Sequence, residues 1–163
     1  MRRARVSDHP AIVECVQRWW DGARTPAESR DPALTLPRLF LRCFGGTSLV
    51  VEDITGIRAF LIGLHSADNP AEAYIHLVAV DPELRGQGLA RGMYAAFMTR
   101  AAAAGRHEVR ALTSPGNAGA LAFHRAMGFS PEKGDREIEG LPVHSDHNGP
   151  GQDRVCFLKK LPV

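Results

Sequence analysis

The stretch Val78 to Ala90, V-A-V-D-P-E-L-R-G-Q-G-L-A, carries the residues best suited to chemistry. An apolar β-branched run ends at Asp81-Pro82, a turn with Gly86 and Gly88 follows, and a helical pattern begins. The first N–H groups of a helix have no partner inside it and lie at the positive end of its dipole, so they suit an anion. Gly86, Gly88 and the small Ala90 remove side chains that would keep a phosphate from the backbone. One exposed charge contact at a helix end contributes only about 0.3–1 kcal/mol, so several amides must act together. Taken alone, the turn fits two readings: an anion cradle, or a tight strand-to-helix connection that holds nothing. It is not a P-loop, because GxxxxGK[ST] is absent, and no GxGxxG closes a first βαβ unit as in a Rossmann site. His144, Asp146 and His147 offer metal-ligand atoms, but this spacing in a loop is not specific, and no metal is expected.

The surrounding pattern shows what must position the turn. Ala4 to Val6 reads as a short first strand, and Ser7, Asp8 and Pro10 open a helix running to about Trp20. Residues Asp21 to Thr35 are polar, contain Pro26 and Pro32, and read as a loop. Pro37 opens a short helix over Arg38 to Phe44. Ser48 to Glu52 and Gly56 to Leu64 read as strands joined by a turn, and Ala73 to Val80 as the strand that delivers the chain to the glycines. The next helix spans about Gly88 to Ala104, with Leu89, Met93, Ala96, Phe97 and Ala101 as its buried stripe. A strand from His107 to Thr113, a helix capped by Asn117 and ended by Gly128, a loop from Pro131 to Gln152 and a strand from Arg154 to Lys160 complete the chain. Hairpin-connected strands early and crossovers late predict an α/β (α+β) fold: a mixed central sheet with helices on both faces, in one domain over residues 1–163.

Bulk properties narrow the function. The 163 residues carry 20 Lys and Arg against 18 Asp and Glu, a net charge of +2. That balance gives no footprint for nucleic acid or an anionic membrane surface. No apolar run is long enough to span a bilayer. Three scattered cysteines form no disulfide framework, which fits a reducing cytoplasm.

Two motifs together carry a resemblance. Arg85-x-x-Gly88-x-Ala90 after His76-Leu77-Val78-Ala79-Val80-Asp81-Pro82 is similar to the [QR]xxGx[GA] signature of the GNAT acyltransferases. Asn117-x-x-Ala120-x-x-Phe123-His124-x-x-Met127-Gly128-Phe129 resembles that family's second block. The order of strands and helices agrees over nearly the whole chain. The resemblance implies acetyl-CoA as co-substrate, a primary amine as acceptor, and direct transfer in a ternary complex. It places the pantetheine arm along Val78, Ala79 and Val80, and the pyrophosphate on the amides from Arg85 through Gly86, Gln87, Gly88, Leu89 and Ala90 to Arg91. Arg85 and Arg91 add charge there or are simply solvated. Asn117 and Phe123 border the cofactor arm.

The catalytic groups implied are less uniform. His124 stands where the family usually has a tyrosine proposed to protonate the departing thiolate, so it is either that acid or a residue that only packs or binds the cofactor. Glu72, Tyr74 and His76 are the candidate bases, with Tyr74, His76, Val78 and Val80 expected on one face of their strand. A glutamate that some members carry on the next strand is Leu112 here. The segment from Trp19 to Leu39, with Asp21, Glu28 and Asp31, is expected to wall the acceptor site, and the loop with His144 and His147 to overhang it. Dimers are common among resembling proteins, so a homodimer is an expectation. The alternative to an enzyme is a non-catalytic module that senses acetyl-CoA.

Overall fold

A computed structural model of the chain describes residues 1–19 and 36–162. The expected loop at Asp21 to Thr35, with its acidic residues, and Trp20 lie outside the described residues. Along the chain come β1 (Arg2–Arg3), α1 (His9–Trp19), α2 (Arg38–Phe44), β2 (Leu49–Asp53), β3 (Gly56–His65) and β4 (Glu72–Val80). Then follow α3 (Leu89–Ala103), β5 (Glu108–Thr113), α4 (Ala118–Ala126), β6 (Ser130–Pro131), β7 (Arg136–Ile138), β8 (Leu141–Val143) and β9 (Val155–Lys160). A seven-stranded sheet runs in the order β1-β2-β3-β4-β5-β9-β6. Its β4–β5 pair is parallel and its other pairs are antiparallel.

The sheet separates two apolar clusters. On one face Met93, Tyr94, Phe97 and Ala101 of α3 pack on Leu61, Ile75, Val109 and Phe157. On the other, Ile12, Cys15, Val16 and Trp19 of α1 and Leu41 of α2 pack on Val50, Phe60 and Ile62. Each fully buried side chain of this size stabilises the fold by about 1.5–3 kcal/mol over its exposed state. Helix α3 lies so close to β3 that a Cβ at Gly63 would overlap the Phe97 ring. Among the described residues, no helix is long and apolar enough to cross a membrane.

The first strand is Arg2–Arg3 rather than the expected Ala4 to Val6. The carboxylate of Asp8 accepts the Arg5 N–H at 2.7 Å and pairs with Arg2 at 2.8 Å, which turns the chain before Val6. The segment read as a loop from Pro131 to Gln152 starts on the last residue of β6 and contains the β7–β8 hairpin. That hairpin turns on Glu139 (φ 50°) and Gly140 (φ 77°), left-handed at both central positions as a two-residue hairpin requires. Glu-Gly is not among the usual Asn-Gly or Asp-Gly signals, so the turn was not visible in the pattern.

Candidate active site

The site begins where β4 leaves β5. The two strands pair from Glu72–Glu108 to Ile75–Ala111 and no further. Beyond Ile75, β4 continues to Val80 paired with β3 alone. Its other edge, at Leu77 to Val80, therefore presents backbone groups to an open side of the sheet, the arrangement an added strand-like ligand uses.

At the end of that edge Asp81 caps a single 3-10 turn, its carboxylate accepting the Glu83 N–H at 3.0 Å. Gly86 (φ 77°) and Gly88 (φ 83°) then adopt the left-handed conformation, and Gly88 is the N-cap of α3. Among the described residues, a Cβ at either glycine would meet no atom within 4 Å, so the space before the turn is clear of them. The first closed helical bond runs from the Gly92 N–H to the Gly88 carbonyl at 2.9 Å. Among the described residues, the amides from Gly86 to Arg91 donate to no protein acceptor. Free amides, a helix N-terminus and open space together suit an anion. The Arg85 side chain is turned back instead, with Nε donating to the Val80 carbonyl and Nη2 to the Trp19 carbonyl, both at 3.3 Å. Arg91 is exposed.

Asn117 is the N-cap of α4, its side chain accepting the Ala120 N–H at 3.0 Å. One turn and more along that helix, His124 is 5% exposed and lies face to face with Phe157, ring centroids 4.8 Å apart. His124 Nδ1 is 2.8 Å from the Ala120 carbonyl, which only accepts, so Nδ1 carries the proton. Nε2 then accepts from the Tyr94 hydroxyl at 3.1 Å. Burial pulls the His124 imidazole below its usual range, against the Ala120 bond that raises it. Burial also drives the Tyr94 phenol well above its own range. Phe123 meets the Tyr94 ring edge-on, with centroids 5.0 Å apart. Tyr94 was not singled out in the sequence. Its signal was a polar-tipped aromatic in the buried stripe of α3, a residue that must find a hydrogen-bond partner.

The three candidate bases are distributed along β4. Glu72, at the start, is held by the Arg110 guanidinium at 2.6 Å, and Arg110 also pairs with Glu108 and Glu132. Tyr74 is pushed up to about 12, chiefly by burial, so its phenol stays protonated at neutral pH. His76 stacks on Phe40 of α2 at 4.5 Å. The expectation that Tyr74, His76, Val78 and Val80 share a face is wrong. Ile62 pairs with Leu77 while Gly63 pairs with Ile75, which leaves His76 as the extra residue of a bulge. Before the bulge Ala73 and Ile75 face the α3 cluster; after it Val78 and Val80 do, and Leu77 and Ala79 face the opposite cluster. Tyr74 and His76 thus lie on the α1/α2 face, opposite Val78 and Val80.

Residues 13–129 match the acetyltransferase (GNAT) family. A curated relative, mycothiol acetyltransferase of Kocuria rhizophila, is 38% identical over 64 residues, 39% of this chain and 21% of its own length. The chain thus spans about a fifth of that relative. Among solved structures, Ard1 from Thermoplasma volcanium superposes with a TM-score of 0.75 at 20% identity, covering 99% of this chain and 97% of that one. A phosphinothricin acetyltransferase from Sinorhizobium meliloti, solved in complex with AcCoA, superposes with a TM-score of 0.72 at 18% identity, covering 98% and 86%. Their sheet and helix arrangement is shared with this chain.

Proposed function

The chain belongs to the GNAT acetyltransferase family, and from that premise we propose that it holds acetyl-CoA in the β4 opening and transfers the acetyl group directly to a primary amine. The observation that carries this reading is the continuity of the open β4 edge with the unpaired amides of Gly86 to Arg91. The amides take the pyrophosphate, and the backbone of Val78, Ala79 and Val80 takes the arm as an added strand. Asn117 and Phe123 border the arm from the far side of the opening. The solved complex of the Sinorhizobium meliloti acetyltransferase with AcCoA supports the choice of co-substrate.

An alkylammonium near pKa 10.4 must lose a proton before it attacks, at a cost of about 4–5 kcal/mol at pH 7 without help. His76 takes that proton, directly or through water. Its place at the bulge, where β4 parts from β5, supports it over Glu72, which Arg110 engages, and over Tyr74, whose phenol is held protonated and so has no anionic oxygen to act as the base. The amine nitrogen bonds to the thioester carbon, the C–S bond breaks, and the electron pair leaves on sulfur. A thiol near pKa 8.5 is a tolerable leaving group without an acid. His124 positions Tyr94 and packs the wall of the opening, a role supported by the use of both its ring nitrogens.

A thiol-release assay against small amines, aminoglycosides, amino acid derivatives and peptide N-termini tests the reading. Release of CoA with at least one class is expected. Tight acetyl-CoA binding with no release across the panel would make the chain a sensor. With an active amine, His76→Ala is expected to lower kcat/KM by about 10²–10⁴-fold. An unchanged kcat/KM refutes His76 as the base.

A further inference from the structure

The late hairpin and β9 bring together side chains that acetyl transfer does not use. Leu112 pairs with Cys156, and their neighbours Ala111 and Phe157 belong to the α3 cluster, so Cys156 lies on the opposite face. That is also the face of Tyr74 and His76. His144 extends β8 and is locked to Arg154 by two backbone bonds of 2.8 and 3.0 Å. His147 follows in a loop held by its own hydrogen bonds. Asp146 (φ 50°) donates its N–H to Asp153 and accepts the Gly151 N–H at 2.6 Å. Ser145 donates both N–H and hydroxyl to Asp135. This tight loop sets His147 Nε2 3.8 Å from Cys156 Sγ. One ligand atom from each of His144, His147 and Cys156 lies within 4.8 Å of the others. His144 Nε2 is buried and, among the described residues, has no hydrogen-bond partner.

From this convergence we infer that His144, His147 and Cys156 form a zinc-binding site. Two imidazoles and a thiolate match the borderline-soft preference of Zn²⁺ and do not suit Ca²⁺ or Mg²⁺, which take oxygen. Zinc bonds of about 2.0–2.1 Å to nitrogen and about 2.3 Å to sulfur put tetrahedral ligand atoms roughly 3.3–3.6 Å apart. The site closes to that spacing by small side-chain adjustments, since the backbones of His144 and Cys156 are hydrogen-bonded in place and the loop is pinned at Asp146 and Asn148 on either side of His147. The ion satisfies the orphaned nitrogen of His144, displaces the Cys156 thiol proton to solvent, and keeps a fourth position for water or a donor atom of an acceptor. Glu132 does not fill that position, because Arg110 engages its carboxylate. The site stands on the loop and β9 alone and does not depend on acetyl transfer.

A Co²⁺ titration of the reduced, untagged full chain tests it by absorbance. One equivalent is expected to produce a thiolate-to-cobalt charge-transfer band in the near ultraviolet and tetrahedral d–d bands in the visible, all bleached by Zn²⁺. Cys156→Ser removes the charge-transfer band, whereas Cys43→Ser, at an exposed thiol elsewhere, keeps it. His147→Ala alters an exposed loop side chain, so it retains the fold even where a change at His144 or Cys156 does not. It is expected to weaken Co²⁺ binding by more than the about 10-fold lost with an outer-shell partner. A wild-type chain with no charge-transfer band, a band that survives Cys156→Ser, or an unchanged affinity in His147→Ala overturns the proposal.

Discussion

At the scale of single residues, His124 and Tyr94 form a buried hydrogen-bonded pair that ties α4 to α3. Replacing His124 with Phe preserves the stack on Phe157 but strands the buried Tyr94 hydroxyl, which costs about 1–3 kcal/mol. Its effect on pH dependence has a definite sign. An unfolded histidine titrates near 6.5, and burial holds the folded one lower. Between those values the unfolded chain binds a proton that the folded chain lacks, so stability falls as pH drops through about 6.5. Denaturation midpoints between about pH 7 and pH 5 should fall less steeply in His124→Phe than in the parent. Part of the slope should survive, because burial depresses His65 in the same direction. In the acetylation assay the same variant should keep most of its kcat; a large loss of kcat with KM for acetyl-CoA unchanged would restore His124 as the acid. His124 was conspicuous in the sequence by its distance from Asn117, yet its hydroxyl partner was not, because that bond joins residues 30 positions apart. The convergence of Cys156 with His147 was hidden for a related reason: it depends on the bridge between His144 and Arg154 and on the path of the loop between them.

At the scale of elements, the turn into α3 was the most legible part of the chain. Local chemistry sets it: glycines where φ is positive, a proline and an aspartate where the strand stops, and a helical stripe beyond. The cap of α4 at Asn117 was legible for the same reason. Gly88→Ala separates the structural from the binding role of the turn. The left-handed conformation of an alanine costs about 1–2 kcal/mol, but the added methyl meets no atom of the described residues within 4 Å. A modest drop in melting temperature should therefore accompany a much larger rise in KM for acetyl-CoA. An unchanged KM would show that these amides do not hold the co-substrate. The face assignments along β4 were not legible, since a bulge at His76 arises from register with β3 and leaves no mark on the alternation of β4 itself. Gly63 is a parallel case. It read as one strand residue among others, whereas Phe97 from α3 occupies the space its side chain would need. Gly63→Ala should cost about 1–3 kcal/mol through overpacking, measurable as a shift in the denaturant midpoint at constant slope.

At the scale of the whole molecule, the mixed sheet with helices on both faces was readable from element order, and its unequal cover was not. The α1/α2 cluster contains residues from the chain up to Ala79 and none from β5 or β9. Among the described residues, the apolar cover of the C-terminal strands thus lies on one face, and Arg110 with its three carboxylate partners lies on the other. Within the sheet, β5 is joined to β4 only by the pairs from Glu72–Glu108 to Ile75–Ala111. A structure joined this way is set up as two cooperative unfolding units that share one apolar face. The unit made of β5, α4, β9 and β6 should open at a lower free energy than β2 to β4. Native-state hydrogen exchange should show β5 and β9 amides less protected than those of β3 in the free chain. A co-substrate laid along the gap would add the rungs that β5 does not supply, so the two exchange free energies should converge when it binds. Binding would then act as a clamp on folding cooperativity as well as a delivery of the acetyl group.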